Sequence, residues 1–143
     1  MGQQPTKQHI LEKTIDAIEK HGIQNLTTRV IAEQAGVNNA ALHYYFCTKD
    51  ALLEQALALT LHHMLEDTQE ILSRNTSLEE RLFTLFEYIV DGVLRFPNII
   101  RAHIQGPLME GRTDTPFMVM LDTWLDQLYA GMEDSIPPDK QHR

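Results

Sequence analysis

The 143-residue sequence predicts an all-α protein. Apolar residues recur at three- and four-residue spacings along most of the chain, which is the period of a helix face. No segment alternates polar and apolar residues in the way that a half-buried strand does. Residues with capping or turn preferences separate these periodic stretches. The first helix is expected at 7–21, with Thr6 as its N-cap and Gly22 at its end.

Two short helices and one long helix follow by the same signals. The short helices are expected at 28–35 and 39–45. The long fourth helix is expected to run from Thr48 to about Leu72, because Thr48 is a good N-cap residue and Asp50 suits the positive end of a helix dipole.

The C-terminal half predicts three further helices, at 78–94, 98–105 and 117–132. The segment 106–116 contains two Gly and two Pro, so it is expected to be the longest loop. Pro137 and Pro138 are expected to stop the last helix.

The composition limits the class of function. No apolar run approaches the roughly 20 residues of a membrane span, and the N-terminus has no apolar signal-peptide segment. A cytoplasmic protein without membrane contact is therefore expected, and the single cysteine, Cys47, suits a reducing compartment. The net charge is −8, but residues 1–50 carry five basic and five acidic residues, so the negative charge lies in the remainder. DNA binding by the N-terminal part is compatible with this distribution.

The segment 26–46 is the most informative part of the chain. Gly36 falls where the chain must leave the second helix through a left-handed conformation. Asn38 is then placed to cap a third helix, whose Leu42 and Phe46 lie four apart on one face. The opposite face carries Asn39, Ala40, Ala41, His43 and Tyr44. A polar, exposed helix behind a glycine turn is typical of a recognition helix in the DNA major groove, and an ordinary helical hairpin is the alternative interpretation.

Four stretches of residues 22–53 point to one family. They are Gly22-Ile-Gln-Asn-Leu-Thr-Thr-Arg29, Ala32-Glu-Gln-Ala-Gly-Val37, Leu42-His-Tyr-Tyr-Phe46 and Thr48-Lys-Asp-Ala-Leu-Leu53. In this order and spacing they resemble the tetracycline-repressor (TetR) family of bacterial transcription regulators. The resemblance implies a three-helix helix-turn-helix unit, here 1–48, joined through the fourth helix to a helical effector-binding and dimerisation domain, here 49–143. The chain is shorter than the family usually runs, so a C-terminal truncation is expected.

The expected DNA contacts come from the starts of the second, third and fourth helices. Arg29 is expected to reach a guanine edge or a phosphate, since arginine to guanine is the commonest specific contact and the family places the matching residue at the DNA. Lys49 is expected to hold a phosphate as a point charge. Thr27 and Asn38 also suit plain helix capping. The full expected set is Thr27, Thr28, Arg29, Asn38, Asn39, Ala40, Ala41, His43, Tyr44 and Lys49.

A second set of residues suggests an effector pocket in the C-terminal half. Methionine and aromatic side chains adapt to irregular apolar ligands, and a few polar groups orient them. The expected lining residues are Met64, Phe86, Ile89, Val93, His103, Phe117, Met120 and Trp124. The loop 106–116 is expected to form the entrance, and the effector to be a small apolar or aromatic molecule. These residues could equally fill an ordinary core.

No catalytic motif competes with this interpretation. The sequence has no Gly-rich phosphate loop, no His-Glu-x-x-His pair and no Gly-x-Ser-x-Gly elbow, so no enzyme activity, cofactor or metal is expected. We predict a sequence-specific DNA-binding regulator that acts as a homodimer on double-stranded operator DNA, as a repressor released by a small molecule. The alternative is a helical protein–protein adaptor that does not bind DNA.

Overall fold

The structure, a computed structural model, describes residues 6–133. Within this range the chain forms seven α-helices, one 3₁₀ turn at Ile23–Asn25, and no strand, so the all-α prediction is confirmed. The helices are α1 (Lys7–His21), α2 (Thr28–Ala35), α3 (Asn39–Tyr45), α4 (Lys49–Ser73), α5 (Leu78–Arg95), α6 (Pro97–Glu110) and α7 (Pro116–Glu133). Across residues 6–133 no helix has the length and apolar character needed to cross a bilayer. The predicted helix stop at Pro137 and Pro138 lies outside the described residues.

Local capping explains why the first four helices begin where the sequence predicts. The Oγ1 atoms of Thr6, Thr27 and Thr48 each accept a hydrogen bond from the backbone N–H three residues later. The Oδ1 atom of Asn38 does the same for Ala41 at 2.9 Å. Each bond satisfies one of the N–H groups that a helix start leaves without an intrahelical partner.

The first hydrophobic core lies between α1, α2, α3 and the start of α4. Its most deeply buried members include Ile10, Ile18, Ile31 and Leu52. Ile99, from the first turn of α6, belongs to the same core and is only 6% exposed. The N-terminal unit therefore includes part of a helix that comes much later in the chain.

A second, smaller core forms where α7 packs against α4. Leu61 of α4 and Met120 and Trp124 of α7 are its buried centre. Helix α4 is 25 residues long and contributes to both cores, so it connects the two halves of the molecule. Since α4 belongs to both cores, the domain boundary between residues 48 and 49 stays a prediction.

Helix α6 is longer than predicted. The sequence predicts a helix at 98–105 and a loop over 106–116, but α6 continues to Glu110. That prediction is wrong because Pro107 does not break the helix: proline removes one N–H donor, yet its fixed φ is itself helical. The helix ends instead at Gly111, whose φ of 65° is in the left-handed region.

Candidate nucleic-acid interface and effector region

The turn at residues 36–38 sets the angle between α2 and α3. Gly36 adopts φ 67° and ψ 32°, and its N–H donates to the carbonyl of Glu33 at 3.3 Å. The N–H of Val37 donates to the carbonyl of Ala32 at 3.0 Å. A β-carbon on Gly36 would meet no atom within 4 Å, so glycine is required for the left-handed backbone and not for space.

Helix α3 presents one face to the first core and the other to solvent. Leu42 and Phe46 are buried in that core. The predicted contact residues Asn39, Ala40, His43 and Tyr44 are exposed, and Ala41 is half-buried. Tyr44 is 82% exposed although it is a large aromatic residue, so its ring does not pack in a hydrophobic core. The side chain of Asn38 is used as the N-cap, as the capping interpretation expects.

The start of α2 carries one exposed cation. The side chain of Arg29 is 84% exposed, and its Nε lies 3.0 Å from Oε1 of Glu33. Exposed ion pairs of this kind contribute little to stability, so Arg29 can exchange this partner for another anion. Glu33 was not among the predicted site residues, although its four-residue spacing from Arg29 on a helix indicates the pair. Thr27 caps α2, and Thr28 is half-buried beside it.

Two lysines lie near the ends of α3, one predicted and one not. Lys49 is half-buried, and its Nζ donates to the carbonyl of Leu26 at 3.1 Å. A lysine ammonium has three donors, so this bond leaves others for a phosphate. Lys7 is exposed, and its Nζ lies 5.4 Å from the centre of the Phe46 ring. The sequence contains no signal for this second cation, because only the fold brings α1 beside the end of α3.

Five of the eight predicted effector residues lie in one region, around the second core. Met120 and Trp124 are at its centre, and Met64 and Phe117 pack against it. His103 of α6 is buried, and its ring stacks on that of Phe117 with 6.1 Å between ring centres.

The surroundings of His103 favour a neutral ring with its proton on one particular nitrogen. The hydroxyl of Thr60 donates to the carbonyl of Leu57 at 2.7 Å, so it accepts from Nε2 of His103, which lies 2.8 Å away. The neutral ring therefore carries its proton on Nε2. Burial lowers the pKa of His103 from 6.5 to about 4, because desolvation disfavours the charged ring.

The remaining three predicted effector residues lie elsewhere. Phe86, Ile89 and Val93 are exposed on α5, with Phe86 at 66%, and the structure does not bring them together with the other five. The first part of the expected entrance loop, 106–110, is helical, and only 111–115 lie between α6 and α7. Within the described residues, two polar atoms of α7 are buried without a hydrogen-bond partner, Nε1 of Trp124 and Oε1 of Gln127.

A polar cleft lies between the end of α1 and α6, away from the second core. Its volume is about 120 Å³. Polar side chains line most of it, among them His21, Gln24, Asn98, Arg101 and Gln105. It therefore differs from the apolar pocket that the sequence predicts.

Comparison with known proteins finds regulators of one kind. Residues 10–56 match the family model described as bacterial regulatory proteins, tetR family. The chain is 28% identical over 134 residues to the HTH-type transcriptional regulator BetI of Pectobacterium carotovorum subsp. carotovorum (strain PC1), covering 92% of this chain and 60% of that protein. It is 31% identical over 74 residues to BetI of Yersinia pestis, covering 51% of this chain and 37% of that protein.

Solved structures share the fold. A TetR family transcription regulator from Marinobacter aquaeolei VT8 superimposes with a TM-score of 0.68 at 21% identity, over 92% of this chain and 72% of that chain. A second structure, from Streptomyces coelicolor A3(2), has a TM-score of 0.68 at 20% identity, over 93% and 76%. The chain spans about 60% of the length of the Pectobacterium relatives that it matches.

Proposed function

We propose that the chain is a DNA-binding transcriptional regulator of the TetR family whose helix α3 enters the major groove, since residues 10–56 match that family's model and the similar proteins are transcriptional regulators. The observation that carries this proposal is the exposed face of α3. Leu42 and Phe46 anchor the helix from one side, so Asn39, His43 and Tyr44 face solvent on the other. A protein–protein adaptor has no comparable need for this polar face behind a left-handed glycine turn, and the relatives do not favour it.

The surrounding charges support a contact with phosphates. Arg29 lies at the start of α2, Lys49 at the start of α4 and Lys7 beside the end of α3. One copy of such a small unit reads few bases, so we propose a homodimer on double-stranded operator DNA, with recognition helices about 34–36 Å apart. The finer proposal is a cytoplasmic repressor that a small effector releases from its operator.

A DNA titration tests the proposal. The protein is used to enrich a duplex from random-sequence DNA, and its affinity for that duplex and for a scrambled duplex is measured at 50 and 200 mM salt. We expect selective binding that weakens at least about tenfold at the higher salt, because neutralised phosphates release counterions. Failure to enrich any sequence, with no binding at either salt, would favour the adaptor.

Arg29 and Glu33 allow a paired test in the same assay. Arg29→Ala should cost about 1–3 kcal/mol on the enriched duplex and little on the scrambled one, if Arg29 reads a base. Glu33→Gln should strengthen binding, since it frees Arg29 and removes a negative charge. Arg74→Ala is the matched control, because Arg74 forms an equivalent exposed pair with Glu70 at the far end of α4. An equal loss on both duplexes would make Arg29 a phosphate contact.

The effector is proposed to bind at the second core. Trp124 supports this, because its buried indole N–H has no acceptor among the described residues and buried donors are normally paired. An effector with an apolar body and one acceptor group would supply the missing partner. Trp124 is the only tryptophan, so a panel of small aromatic and aliphatic acceptors can be followed by its emission. Compounds that release the duplex should shift this emission and act more weakly on Trp124→Phe, while release without any shift would place the effector elsewhere.

A further inference from the structure

The start of α6 is capped by a side chain of the N-terminal unit. Its own N-cap residue, Phe96, makes no side-chain capping bond. The carboxylate of Glu19, near the end of α1, accepts the N–H of Asn98 at 3.1 Å and the N–H of Ile99 at 3.0 Å. Nδ2 of Asn98 returns a bond to the backbone carbonyl of Glu19 at 2.8 Å.

These bonds complete the N-terminus of α6. Pro97 has no N–H, and the N–H of Ile100 donates to the carbonyl of Phe96 at 3.0 Å, so Glu19 accepts the two that remain. The other helices of the described chain are capped by residues at their own starts, as in the Ser77 capping box of α5. Only α6 among them relies on a residue 79 positions earlier in the chain.

The same turn of α6 is also held by an apolar contact. Ile99 lies in the first core with the residues of α1. His103 follows four residues later on the same face, and it contacts Thr60 of α4 and Phe117 of α7. One face of α6 therefore contacts the DNA-binding unit at one turn and the effector region at the next.

We infer that Glu19 is a positioning residue that makes α6 move together with the DNA-binding unit. A displacement of α6 at His103 then reaches α1 through Glu19, and α1 packs against α2, which carries Arg29. The regulatory meaning of this link rests on the proposed function. The link itself is a property of the fold and can be measured without DNA.

Thermal unfolding of the whole chain tests the link. Trp124 fluorescence reports the second core, and far-ultraviolet circular dichroism reports all helices. The two midpoints should coincide in the unaltered protein and separate by several degrees in Glu19→Ala. Amide exchange at Asn98 and Ile99 should become at least about tenfold faster. Glu19→Gln, which keeps the shape but loses the charge, should give a smaller change of the same sign. Glu12→Ala is the matched control, because Glu12 is exposed on α1 and, within residues 6–133, its side chain bonds only to Gln8.

A second substitution separates linking from mere capping. Phe96→Ser supplies α6 with its own N-cap residue. In Glu19→Ala with Phe96→Ser, exchange at Ile99 should slow again while the two midpoints stay apart. If the added cap brings the midpoints together, Glu19 only stabilises the helix and the inference is overturned. Coincident midpoints in Glu19→Ala alone would overturn it as well.

The regulatory meaning of the link is tested with a substitution at His103, which replaces the unidentified effector as the disturbance of α6. His103→Ala should change the affinity for the enriched duplex when Glu19 is present. In the Glu19→Ala background, the change in affinity caused by His103→Ala should be at least about threefold smaller. An equal change in both backgrounds would contradict coupling through Glu19. A protein that enriches no duplex contradicts the proposed function, while the unfolding and exchange results still decide the link.

Discussion

Replacing Ile31 with alanine is expected to destabilise the protein by about 2–5 kcal/mol, which is a large part of the stability of a small domain. Ile31 is fully buried at the centre of the first core, so the substitution removes apolar contacts and leaves a cavity. The lost contacts belong to α2, which carries Arg29 and precedes α3, the proposed recognition helix. DNA binding should therefore disappear at temperatures where the variant unfolds.

Urea unfolding at neutral pH measures this effect. The midpoint should fall while the dependence of the free energy of unfolding on urea stays the same, since the unfolded state is unaltered. Tyr44→Ala is the matched control, because it removes a larger side chain from the exposed face of α3 and should change the free energy of unfolding by no more than about 0.5 kcal/mol. A variant at Ile31 as stable as this control would mean that the first core is not packed around that residue.

Acidification is expected to destabilise the protein through His103. The ring has a pKa of about 4 in the folded protein against an ordinary value of 6.5, because it is buried. As the pH falls below 6.5, the unfolded state binds a proton that the folded state does not bind until about pH 4. The stability lost across this window is about 3 kcal/mol, since one pKa unit corresponds to 1.36 kcal/mol.

The comparison that isolates this effect is with His103→Gln. Glutamine does not titrate and can still donate to Thr60, so its stability should fall less between pH 7 and pH 4.5. Carboxylates that titrate at low pH affect both proteins and cancel in the difference. Parallel pH profiles would show that His103 becomes charged in the folded protein as easily as in the unfolded one.

The position of His103 gives this titration a functional consequence. The ring joins α6 to α4 through Thr60 and to α7 through Phe117, within the region proposed for the effector. A charged ring would disturb the same helix turn that follows Ile99. Protonation of His103 in the folded protein, near pH 4, is therefore expected to disturb the contacts of α6 that lie next to the link through Glu19.

The sequence alone determined the order of the helices and which face of α3 is exposed. These features depend on local signals: Thr27 and Asn38 cap the helices that follow them, Gly36 permits the left-handed turn, and Leu42 and Phe46 define the buried face of α3. Capping and turn preferences act over three or four residues, so they can be recognised in the sequence without knowledge of the tertiary structure. The same local rules wrongly predict that the helix ends before Pro107. The loss of one N–H donor there does not prevent α6 from continuing through the proline.

Only the tertiary structure decided how distant residues meet. Glu19 caps α6, Ile99 joins the first core, and Lys49 binds the carbonyl of Leu26, and none of these contacts has a periodic or spacing signal. The predicted effector residues divided for the same reason. The apolar stripe of α5 has helical spacing, but which part of it is covered depends on where α4 and α6 pack, so Leu85 is buried while Phe86 is exposed. Burial is a property of the packed helices and not of one helix alone.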